Sequence, residues 1–229
     1  MDLPCLTCGS CAQCVDGILQ NALPLTVSTW NREKKVMALS RGNFLFHQGE
    51  VCRGLYVILS GFIKVYRTGP AGDLQVVRLA GYGGVLGHRA LVAQEPLAAT
   101  AEVVEDAIFC LVSASTVMAT LAEDHAVARN LMRILARSLG QSEGRLLAVA
   151  RMSTPARVAS FLLEHADRRT WVFPLRLTRE EIGQVVGATT ESVSRALRAF
   201  ERDGTIRLAG RSIQVADVPA LSAAATQAP

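Results

Sequence analysis

The hydrophobic pattern of this chain changes from a strand period to a helical period between residues 112 and 115, and this change limits the fold more than any other feature. Before it, short alternating segments such as LYVILSG (55–61) and LQVVRLA (74–80) are separated by glycines. Strands of this length with turn signals at this spacing are typical of a barrel or β-roll. After it, no proline occurs from Ser115 to Val149, and apolar residues recur at helical spacing. The sequence therefore predicts an antiparallel β-domain followed by a long helix.

The β-domain is expected over residues 36–112. RTGPAGD (67–73) is predicted to be a hairpin turn, because Gly-Pro and Gly-Asp supply turn dihedrals. The segments predicted to be separate strands are FLFHQ (44–48), LYVILSG (55–61), FIKVYR (62–67), LQVVRLA (74–80), TAEVVED (100–106) and AIFCLV (107–112).

The predicted helix from Asp124 onward runs for about 25 residues, which is long for a helix inside one domain. A long helix with a narrow apolar seam often pairs with its own copy, so we expect a homodimer. A helix that packs only on its own β-domain is the alternative. The residues near the apolar stripe are Val127, Leu131, Ile134, Leu135, Leu139, Leu146 and Leu147.

A second domain is predicted to begin at MSTP (152–155), because Pro155 can open a new helix but disfavours helix in the residue before it. Two helices then follow closely, LTREEIGQVVG (177–187) and TTESVSRALRAFERDG (189–204), before a small hairpin. Helix, tight glycine turn, helix and hairpin form the winged helix-turn-helix pattern. The tail ALSAAATQAP (220–229) is expected to be loose.

The local sequence marks the ends of both helices. Thr178 and Glu181 form a capping-box pattern at the start of the first helix, and Gly187 suits the left-handed cap that ends it. Thr189 or Thr190 is expected to cap the second helix, and both are counted among the residues that contact DNA.

The exposed face of the second helix is predicted to read double-stranded DNA. Arg195 can donate two hydrogen bonds to guanine, Glu191 can accept from cytosine, and Ser194 can meet several base edges. Arg198 and Arg202 lie further along, where phosphate contact is expected. Surface ion pairs such as Glu191–Arg195 at i,i+4 spacing are the alternative.

The charge distribution is compatible with a nucleic-acid partner for the C-terminal part. Residues 151–229 carry 11 Arg and no Lys against 8 acidic residues, whereas residues 1–150 carry 13 Lys and Arg against 12. Arg suits phosphate and guanine contacts better than Lys does. A solvated surface would give the same balance, so charge alone does not decide the function.

No apolar run approaches the roughly 20 residues that a membrane helix needs, and the first residues lack the pattern of a signal peptide. We therefore expect a cytoplasmic protein with no membrane partner. An enzyme is not expected, because the sequence has no nucleotide-binding glycine loop after a strand and no paired carboxylates in a plausible site. Its four histidines are isolated from one another: His47, His88, His125 and His165.

Four cysteines lie within CLTCGSCAQC (5–14), and Cys52 and Cys110 lie in the β-domain. In a reducing compartment, clustered cysteines indicate a metal or redox centre. Their spacing leaves three alternatives open. Four ligands in so short a segment crowd a single zinc ion, and a thiol–disulfide switch does not need four cysteines. An iron–sulfur cluster is larger and accepts closely spaced CxxC repeats with a further ligand from elsewhere. Cys52 has no partner in the sequence and is expected to be structural.

Two stretches resemble the CRP/FNR family of bacterial transcription regulators. RGNFLFHQGEVCRGLYVILSGFIKVYR (41–67) resembles the β-roll signature of that family, and LTREEIGQVVGATTESVSRALRAFERDG (177–204) resembles its DNA-binding signature. The resemblance implies an α+β chain with an N-terminal antiparallel β-roll of the cyclic-nucleotide-binding type, a long dimerisation helix and a C-terminal winged helix-turn-helix. The boundaries are 1–22 for a cysteine-rich cluster-binding tail, 23–118 for the β-roll sensor domain, 119–151 for the dimerisation helix and 152–229 for the DNA-binding domain.

The segment from Glu191 to Arg195 matches the E-x-x-S-R set of the FNR branch. This resemblance implies a homodimer that reads TTGAT-like inverted repeats and contacts RNA polymerase, mainly as an activator. Ser142 stands near the place where known oxygen sensors of this branch carry an acid that keeps the cluster-free protein monomeric. We therefore expect the cluster-free chain to dimerise more readily, with nitric oxide as an alternative signal to oxygen.

Oxygen sensors of the FNR branch hold a [4Fe–4S] cluster with cysteines spaced C-x2-C-x5-C and one β-roll cysteine. Cys5, Cys8 and Cys14 reproduce that spacing, and Cys110 falls where the β-roll ligand belongs. A buried core thiol is the alternative interpretation of Cys110. Cys11 departs from the family pattern and is an alternative ligand in place of Cys14.

The cyclic-AMP branch of the family has a phosphate pocket built from a Gly-Glu-Leu segment and a following Arg-Ser. In this chain His88 stands where the Glu would be, and Ala98 and Ala99 stand where Arg-Ser would be. Without a cation, a cyclic phosphate would be buried unpaired at large cost. We therefore expect no cyclic-nucleotide ligand.

Overall fold

The computed structural model describes residues 8, 11, 17–69, 72, 74–173, 177–210 and 212–226. Its contacts divide the chain into two compact units. The first unit comprises Met1–Thr68 and Val77–Gly140, and the second comprises Gly69–Val76 and Gln141–Pro229. Across the described ranges, no helix is both long enough and apolar enough to cross a membrane.

The N-terminal part is an antiparallel sheet with helices before and after it. In chain order its elements are α1 (Pro24–Glu33), β1 (Lys35–Leu39), β2 (Phe44–Phe46), β3 (Gly54–Thr68), β4 (Leu74–Ala80), β5 (Val85–Leu86), α2 (His88–Ala93), β6 (Thr100–Ser113), α3 (Ala114–Glu123) and α4 (His125–Arg151). The strand order is β1-β6-β3-β4, with β2 also paired to β6 and β5 also paired to β3.

Both faces of β3 are buried from Gly54 to Leu59, because successive side chains of a strand point to opposite faces and each face meets an apolar cluster. Leu55 and Val57 belong to the helix-side cluster, whereas Tyr56 and Ile58 belong to the cluster on the other face. The buried members of the helix-side cluster are Cys8, Ile18, Leu19, Trp30, Leu55, Val57, Leu59, Val85, Leu91, Cys110, Val112, Val117, Val127 and Leu131.

Four segments predicted to be separate strands form only two. Segments 55–61 and 62–67 are one strand, β3, and segments 100–106 and 107–112 are one strand, β6. Gly61 has a φ of +77°, and a Cβ there would lie 2.2 Å from the carbonyl oxygen of Asp106. The glycine therefore permits bulges between Ile58 and Ile63, and pairing with β6 continues on both sides. Gly61 marks a bulge and not the turn that the sequence suggested.

The helical stretch after β6 is interrupted at Asp124, which separates α3 from α4. The Oδ1 atom of Asp124 accepts hydrogen bonds from the backbone N–H groups of Ala126 at 3.0 Å and Val127 at 3.3 Å. These bonds satisfy two donors that the start of a helix leaves without an intrahelical partner. Asp124 therefore fixes where α4 begins.

The described residues of the C-terminal part form four helices and a small antiparallel sheet. Its elements are α5 (Thr154–His165), β7 (Val172–Phe173), α6 (Arg179–Val186), α7 (Thr190–Arg202), β8 (Ile206–Ala209), β9 (Ser212–Val215) and α8 (Val218–Ala224). The strands are ordered β7-β9-β8. Leu162 of α5, Ile182 of α6 and Leu197 of α7 are almost fully buried, so each of these three helices contributes to the core. The mixed α+β class predicted from the sequence is confirmed.

The prediction of a loose tail is wrong for residues 220–224, because Val218–Ala224 forms α8, and residues 227–229 lie outside the described part of the chain. The Oδ1 atom of Asp217 caps this helix by accepting the backbone N–H of Ala220 at 2.9 Å. Leu221 is fully buried. Alanine has high helix propensity, so one buried leucine and one cap are sufficient to order a segment that reads as small and polar.

Candidate nucleic-acid interface and thiol site

The turn between α6 and α7 is set by the signals that the sequence predicted. The side chain of Thr178 accepts the backbone N–H of Glu181 at 3.1 Å, and the carboxylate of Glu181 accepts the N–H of Thr178 at 2.7 Å. Gly187 ends α6 in the left-handed conformation, with a φ of 66°. A Cβ on Gly183 would lie 2.5 Å from the carbonyl oxygen of Ala188. The turn therefore packs so closely on α6 that only glycine fits at residue 183.

Arg157 of α5 binds the end of α6, a role that no pattern in the sequence indicates. Its Nη1 atom donates to the carbonyl oxygens of Val186 at 2.8 Å and Gly187 at 2.9 Å. Its Nη2 atom donates to the hydroxyl of Thr154 at 3.1 Å. Carbonyl groups at the C-terminal end of a helix lack intrahelical partners and carry partial negative charge. The guanidinium group of Arg157 supplies these carbonyl groups with hydrogen-bond donors and a positive charge. It thereby fixes the end of α6, where the turn to α7 begins.

The helix α7 buries one face and exposes the other. Val193, Ala196 and Leu197 are almost fully buried. Thr189 caps the helix, because its hydroxyl accepts the N–H of Ser192 at 3.3 Å. Of the two caps that the sequence allowed, the structure therefore selects Thr189.

The residues predicted to contact DNA lie away from the buried face. Thr189, Thr190, Glu191, Arg195 and Arg198 are exposed and Ser194 is half-buried. Hydrogen bonds from its own backbone N–H and from Thr189 hold the pKa of the Glu191 carboxyl below its usual value. Within the part of the chain that the structure describes, Arg195 forms no ion pair with Glu191. The guanidinium group of Arg195 is therefore available to a partner.

The four described cysteines of the first unit lie in or against the helix-side cluster. Cys8 and Cys110 are each 2% exposed and belong to the helix-side cluster, and Cys11 packs against it. Cys110 lies on β6 between Val36 of β1 and Val57 of β3. Cys5 and Cys14, two of the predicted ligands, lie outside the described residues. The fold thus places Cys8 of the N-terminal segment and Cys110 of β6 in one apolar cluster.

Whether these thiols fit an iron–sulfur cluster depends on the number and the chemical type of the ligand atoms that the described residues provide. No group of three His, Cys, Asp or Glu residues within the described ranges is arranged to hold a metal ion. Cys8 and Cys110 nevertheless provide soft sulfur donors in apolar surroundings, which is the donor type that iron–sulfur clusters use. The described donors fit such a group chemically, and its remaining predicted ligands fall on the undescribed segment.

Cys52 also packs against the helix-side cluster, but its thiol is directed at backbone carbonyl groups. Its Sγ atom lies 3.4 Å from the carbonyl oxygens of both Gly54 and Gly87. Burial raises the pKa of the thiol, and the hydrogen bond to Gly54 only partly opposes that rise. A thiol of this kind packs a loop together and is not activated as a nucleophile or ligand, as the sequence suggested.

The β-roll segment that resembles a phosphate pocket carries a neutral histidine. His88 begins α2 and is 7% exposed. Burial is the main reason that its pKa falls to about 4, and repulsion from the guanidinium groups of Arg78 and Arg89 adds to the effect. Ala98 and Ala99 lie half-buried before β6 and bring no charge.

The long helix exposes an apolar stripe. Met132, Leu139, Leu146, Leu147 and Val149 are each more than half exposed. Side chains at spacings of seven residues, such as Met132, Leu139 and Leu146, lie on one face of a helix. This arrangement is typical of a helix that pairs with another helix.

Comparison with known proteins agrees with this arrangement. A family model described as a cyclic nucleotide-binding domain matches residues 36–124, and one described as a Crp-like helix-turn-helix domain matches residues 156–224. A CRP-like cAMP-activated global transcriptional regulator of Mycobacterium tuberculosis is 30% identical over 88% of this chain and 92% of its own length. The fumarate and nitrate reduction regulatory protein of Salmonella typhi is 25% identical over 95% of this chain and 92% of its own length.

Solved structures show the same similarity. The structure of FixK2 from Bradyrhizobium japonicum aligns with a TM-score of 0.77 and 25% sequence identity, over 86% of this chain and 99% of that chain. A transcriptional regulator of the CRP family from Thermus thermophilus aligns with a TM-score of 0.71 and 26% identity, over 84% of this chain and 97% of that chain.

Proposed function

The chain belongs to the CRP/FNR family of DNA-binding transcription regulators, and we propose that it acts as a homodimeric regulator controlled by a [4Fe–4S] cluster that senses oxygen or nitric oxide. The observation that carries this proposal is the placement of Cys8 and Cys110. They stand about a hundred residues apart in sequence and are both buried in the helix-side cluster. Val127 and Leu131 of α4 belong to the same cluster, so the thiols share one core with the start of the long helix.

The proposed DNA contacts follow from the exposed face of α7. Arg195 donates to the O6 and N7 atoms of guanine, Glu191 accepts from the N4 group of cytosine, and Ser194 meets a neighbouring base edge. Arg198 contacts phosphate and fixes the position of the helix in the major groove. The proposed sites are TTGAT-like inverted repeats, and RNA polymerase is the proposed partner at the promoter.

The proposed dimer forms through the apolar stripe of α4. Met132, Leu139 and Leu146 are largely exposed in the single chain, and pairing with a second copy would remove them from water. Two copies related by a two-fold axis match the symmetry of an inverted repeat. Ser142, also exposed on this helix, adds no charge against pairing.

The cluster would be held by Cys110 and Cys8 together with two of Cys5, Cys11 and Cys14. When bound, it supplies sulfur-ligated iron that oxygen or nitric oxide attacks. The residues of the chain couple the cluster to the pairing of α4. While the cluster is bound, its ligands tie the N-terminal tail to β6 and restrain it beside the start of α4. When the cluster is lost, the tail is no longer restrained there. DNA affinity then follows the population of the form in which α4 is paired.

A second candidate is a regulator that responds to a cyclic nucleotide. The match of residues 36–124 to a cyclic nucleotide-binding domain and the named cAMP activation of the Mycobacterium tuberculosis relative favour it. The local chemistry opposes it. Ala98 and Ala99 offer no cation, and His88 is neutral at pH 7. The guanidinium groups near His88 already have partners, because Arg78 donates to the carbonyl oxygen of Val85 and Arg89 pairs with Glu95.

The test is to purify the chain without oxygen and to measure iron, sulfide, zinc and the visible spectrum. DNA affinity for a TTGAT-type inverted repeat is then measured before and after exposure to air. Iron and sulfide with DNA binding that air weakens would support the proposal. Stoichiometric zinc without iron would refute it and favour a zinc- or thiol-based sensor. An affinity that rises on addition of cyclic AMP, with no cluster present, would favour the second candidate.

A further inference from the structure

The segment that follows the N-terminal cysteines is fastened to α4 by one buried side chain. Asn130 is only 6% exposed. Its Nδ2 atom donates to the carbonyl oxygen of Ile18 at 3.1 Å and to that of Gln20 at 2.8 Å. Its Oδ1 atom accepts from the guanidinium group of Arg133 at 2.9 Å. Every hydrogen-bonding atom of the amide is therefore used, and both of its donors are directed at the segment.

A second attachment lies six residues earlier in the chain, at Asp124, just before α4 begins. The Oδ2 atom of Asp124 accepts the backbone N–H of Leu23 at 2.8 Å, while its Oδ1 atom caps α4. The carboxylate thus has one oxygen on the helix start and the other on the N-terminal segment. Residues 18–23 are held at both ends against the first two turns of α4.

Apolar contacts close the space between these two attachments. Ile18 is 1% exposed and Leu19 is 3% exposed, and both belong to the helix-side cluster with Val127 and Leu131 of α4. Cys8 is in the same cluster, and its backbone N–H donates to the side chain of Asn31 of α1 at 3.0 Å. The path from the buried thiol to α4 is therefore continuous through packed residues of one unit.

A buried amide that loses its acceptors is strongly unfavourable, because it has been removed from water without a partner. If the segment at residues 18–20 leaves, Asn130 must either find water or rotate out of the core. Either change disturbs the first turns of α4, so the position of the segment and the position of the helix start are linked. An element with two such discrete arrangements can carry a signal between sites.

We propose that Asn130 is the positioning residue through which the state of the N-terminal thiols reaches α4, with Asp124 as the second attachment. The inference rests on the proposed function for what the thiols hold and for the DNA readout. The hydrogen bonds by which Asn130 holds residues 18–20 do not depend on what the thiols bind or on DNA binding.

The first experiment tests the fastening alone, in the reduced and metal-free full chain. Alkylation of each cysteine by iodoacetamide is followed by peptide mass spectrometry. Asn130→Leu keeps the volume but removes the donors, and the rate at Cys8 is expected to rise about tenfold while the rate at Cys52 stays unchanged. Asn130→Gln keeps an NH₂ donor and is expected to recover part of the protection.

Asn43→Leu is the matched control, because it removes an amide-to-carbonyl bond from an exposed turn of the same unit, where Asn43 donates to Ser40. It is expected to leave the rate at Cys8 unchanged. An unchanged rate at Cys8 in Asn130→Leu overturns the inference. An equal rise at Cys52 overturns it as well, because that result would mean general unfolding and not release of the segment.

The second experiment measures coupling with the protein assembled without oxygen. The ratio of DNA dissociation constants between the cluster-free and cluster-bound forms is measured for the wild type and for Asn130→Leu. The variant is expected to keep the same iron and sulfide content, and its ratio is expected to approach one. An undiminished ratio in the variant overturns the inference. A wild type that assembles no cluster refutes the proposed function instead, and the alkylation result then decides the inference on its own.

Discussion

The helix-turn-helix and the thiol site are built in opposite ways. In the helix-turn-helix, Thr178 and Glu181 start α6 and Gly187 ends it, so near neighbours in sequence set the geometry and the reading side chains are exposed. The thiol site joins Cys8 to Cys110 inside an apolar cluster. The exposed face of α7, which carries Glu191, Arg195 and Arg198, can change its contacts without cost to folding. The buried thiol site cannot change its contacts without disturbing the core.

The largest effect is expected at the buried thiol. Cys110→Ala removes the β6 donor and should abolish iron and sulfide incorporation, because the proposed site then loses one of its four ligands. Cys52→Ala is the matched control and should retain both, since the Cys52 thiol is directed at the carbonyl groups of Gly54 and Gly87. Iron, sulfide and the visible spectrum are measured after anaerobic assembly. A full cluster in Cys110→Ala, or its loss in Cys52→Ala, would contradict the ligand assignment.

The second prediction tests whether the buried residue His88 makes the free energy of unfolding sensitive to acid. Burial and the neighbouring Arg78 and Arg89 lower the pKa of His88 from 6.5 to about 4. The unfolded chain therefore binds this proton more readily, so stability falls as the pH drops below about 6.5, by up to roughly 3 kcal/mol near pH 4.

His88→Gln removes this ionisation and should flatten the same part of the curve. Urea unfolding of both proteins at several pH values between 7 and 4 measures the difference between them. Parallel curves would show that His88 is not the residue responsible.

The third prediction concerns the exposed reading face. Arg195→Ala should cost about 1–3 kcal/mol of binding to the preferred site and should relax discrimination at one base pair. Arg198→Ala, the matched comparison, should weaken binding to all sequences alike and lower the salt dependence by about one ion. Titrations of DNA fragments with single base changes, at two salt concentrations, separate the two roles. Unaltered discrimination in Arg195→Ala would remove it from base reading.

The smallest effect is expected where local signals dominate. Thr178→Ala breaks the capping box and should lower the free energy of unfolding by about 1 kcal/mol. Thr190→Ala is the matched control, because Thr190 is exposed at the start of α7 and Thr189 provides the cap. Chemical denaturation of both variants measures the difference. A loss in Thr190→Ala equal to that in Thr178→Ala would argue against the capping box as the cause.

The sequence predicts those features whose causes lie within a few residues. Thr178, Glu181 and Gly187 each act on a neighbouring turn, so α6 and the turn after it could be placed without a structure. The sequence predicts a turn at Gly61, but a bulge and a turn both need a positive φ there. Only the strand that pairs on both sides of Gly61 distinguishes the bulge from a turn. The β-roll and winged helix were predictable, whereas the joined strands β3 and β6 were not.

The residues that sequence reasoning missed are polar side chains with distant backbone partners. Arg157 donates to carbonyl groups about thirty positions away, and Asn130 donates to carbonyl groups more than a hundred positions away. Neither residue type nor its neighbours carries a pattern that points to such partners, because any backbone carbonyl can accept. The signal available in the sequence was only that Asn130 lies at helical spacing from the apolar residues Val127 and Ile134.

The double use of Asp124 has a geometrical consequence for the far end of α4. The helix has 27 residues, which gives a length of about 40 Å. At that length, a tilt of about 5° at the capped end moves the other end by roughly 3–4 Å. The carboxylate of Asp124 holds both the first turn of α4 and the N-terminal segment. A small change in its position therefore tilts the helix at one end and displaces the opposite end by about the width of a side chain.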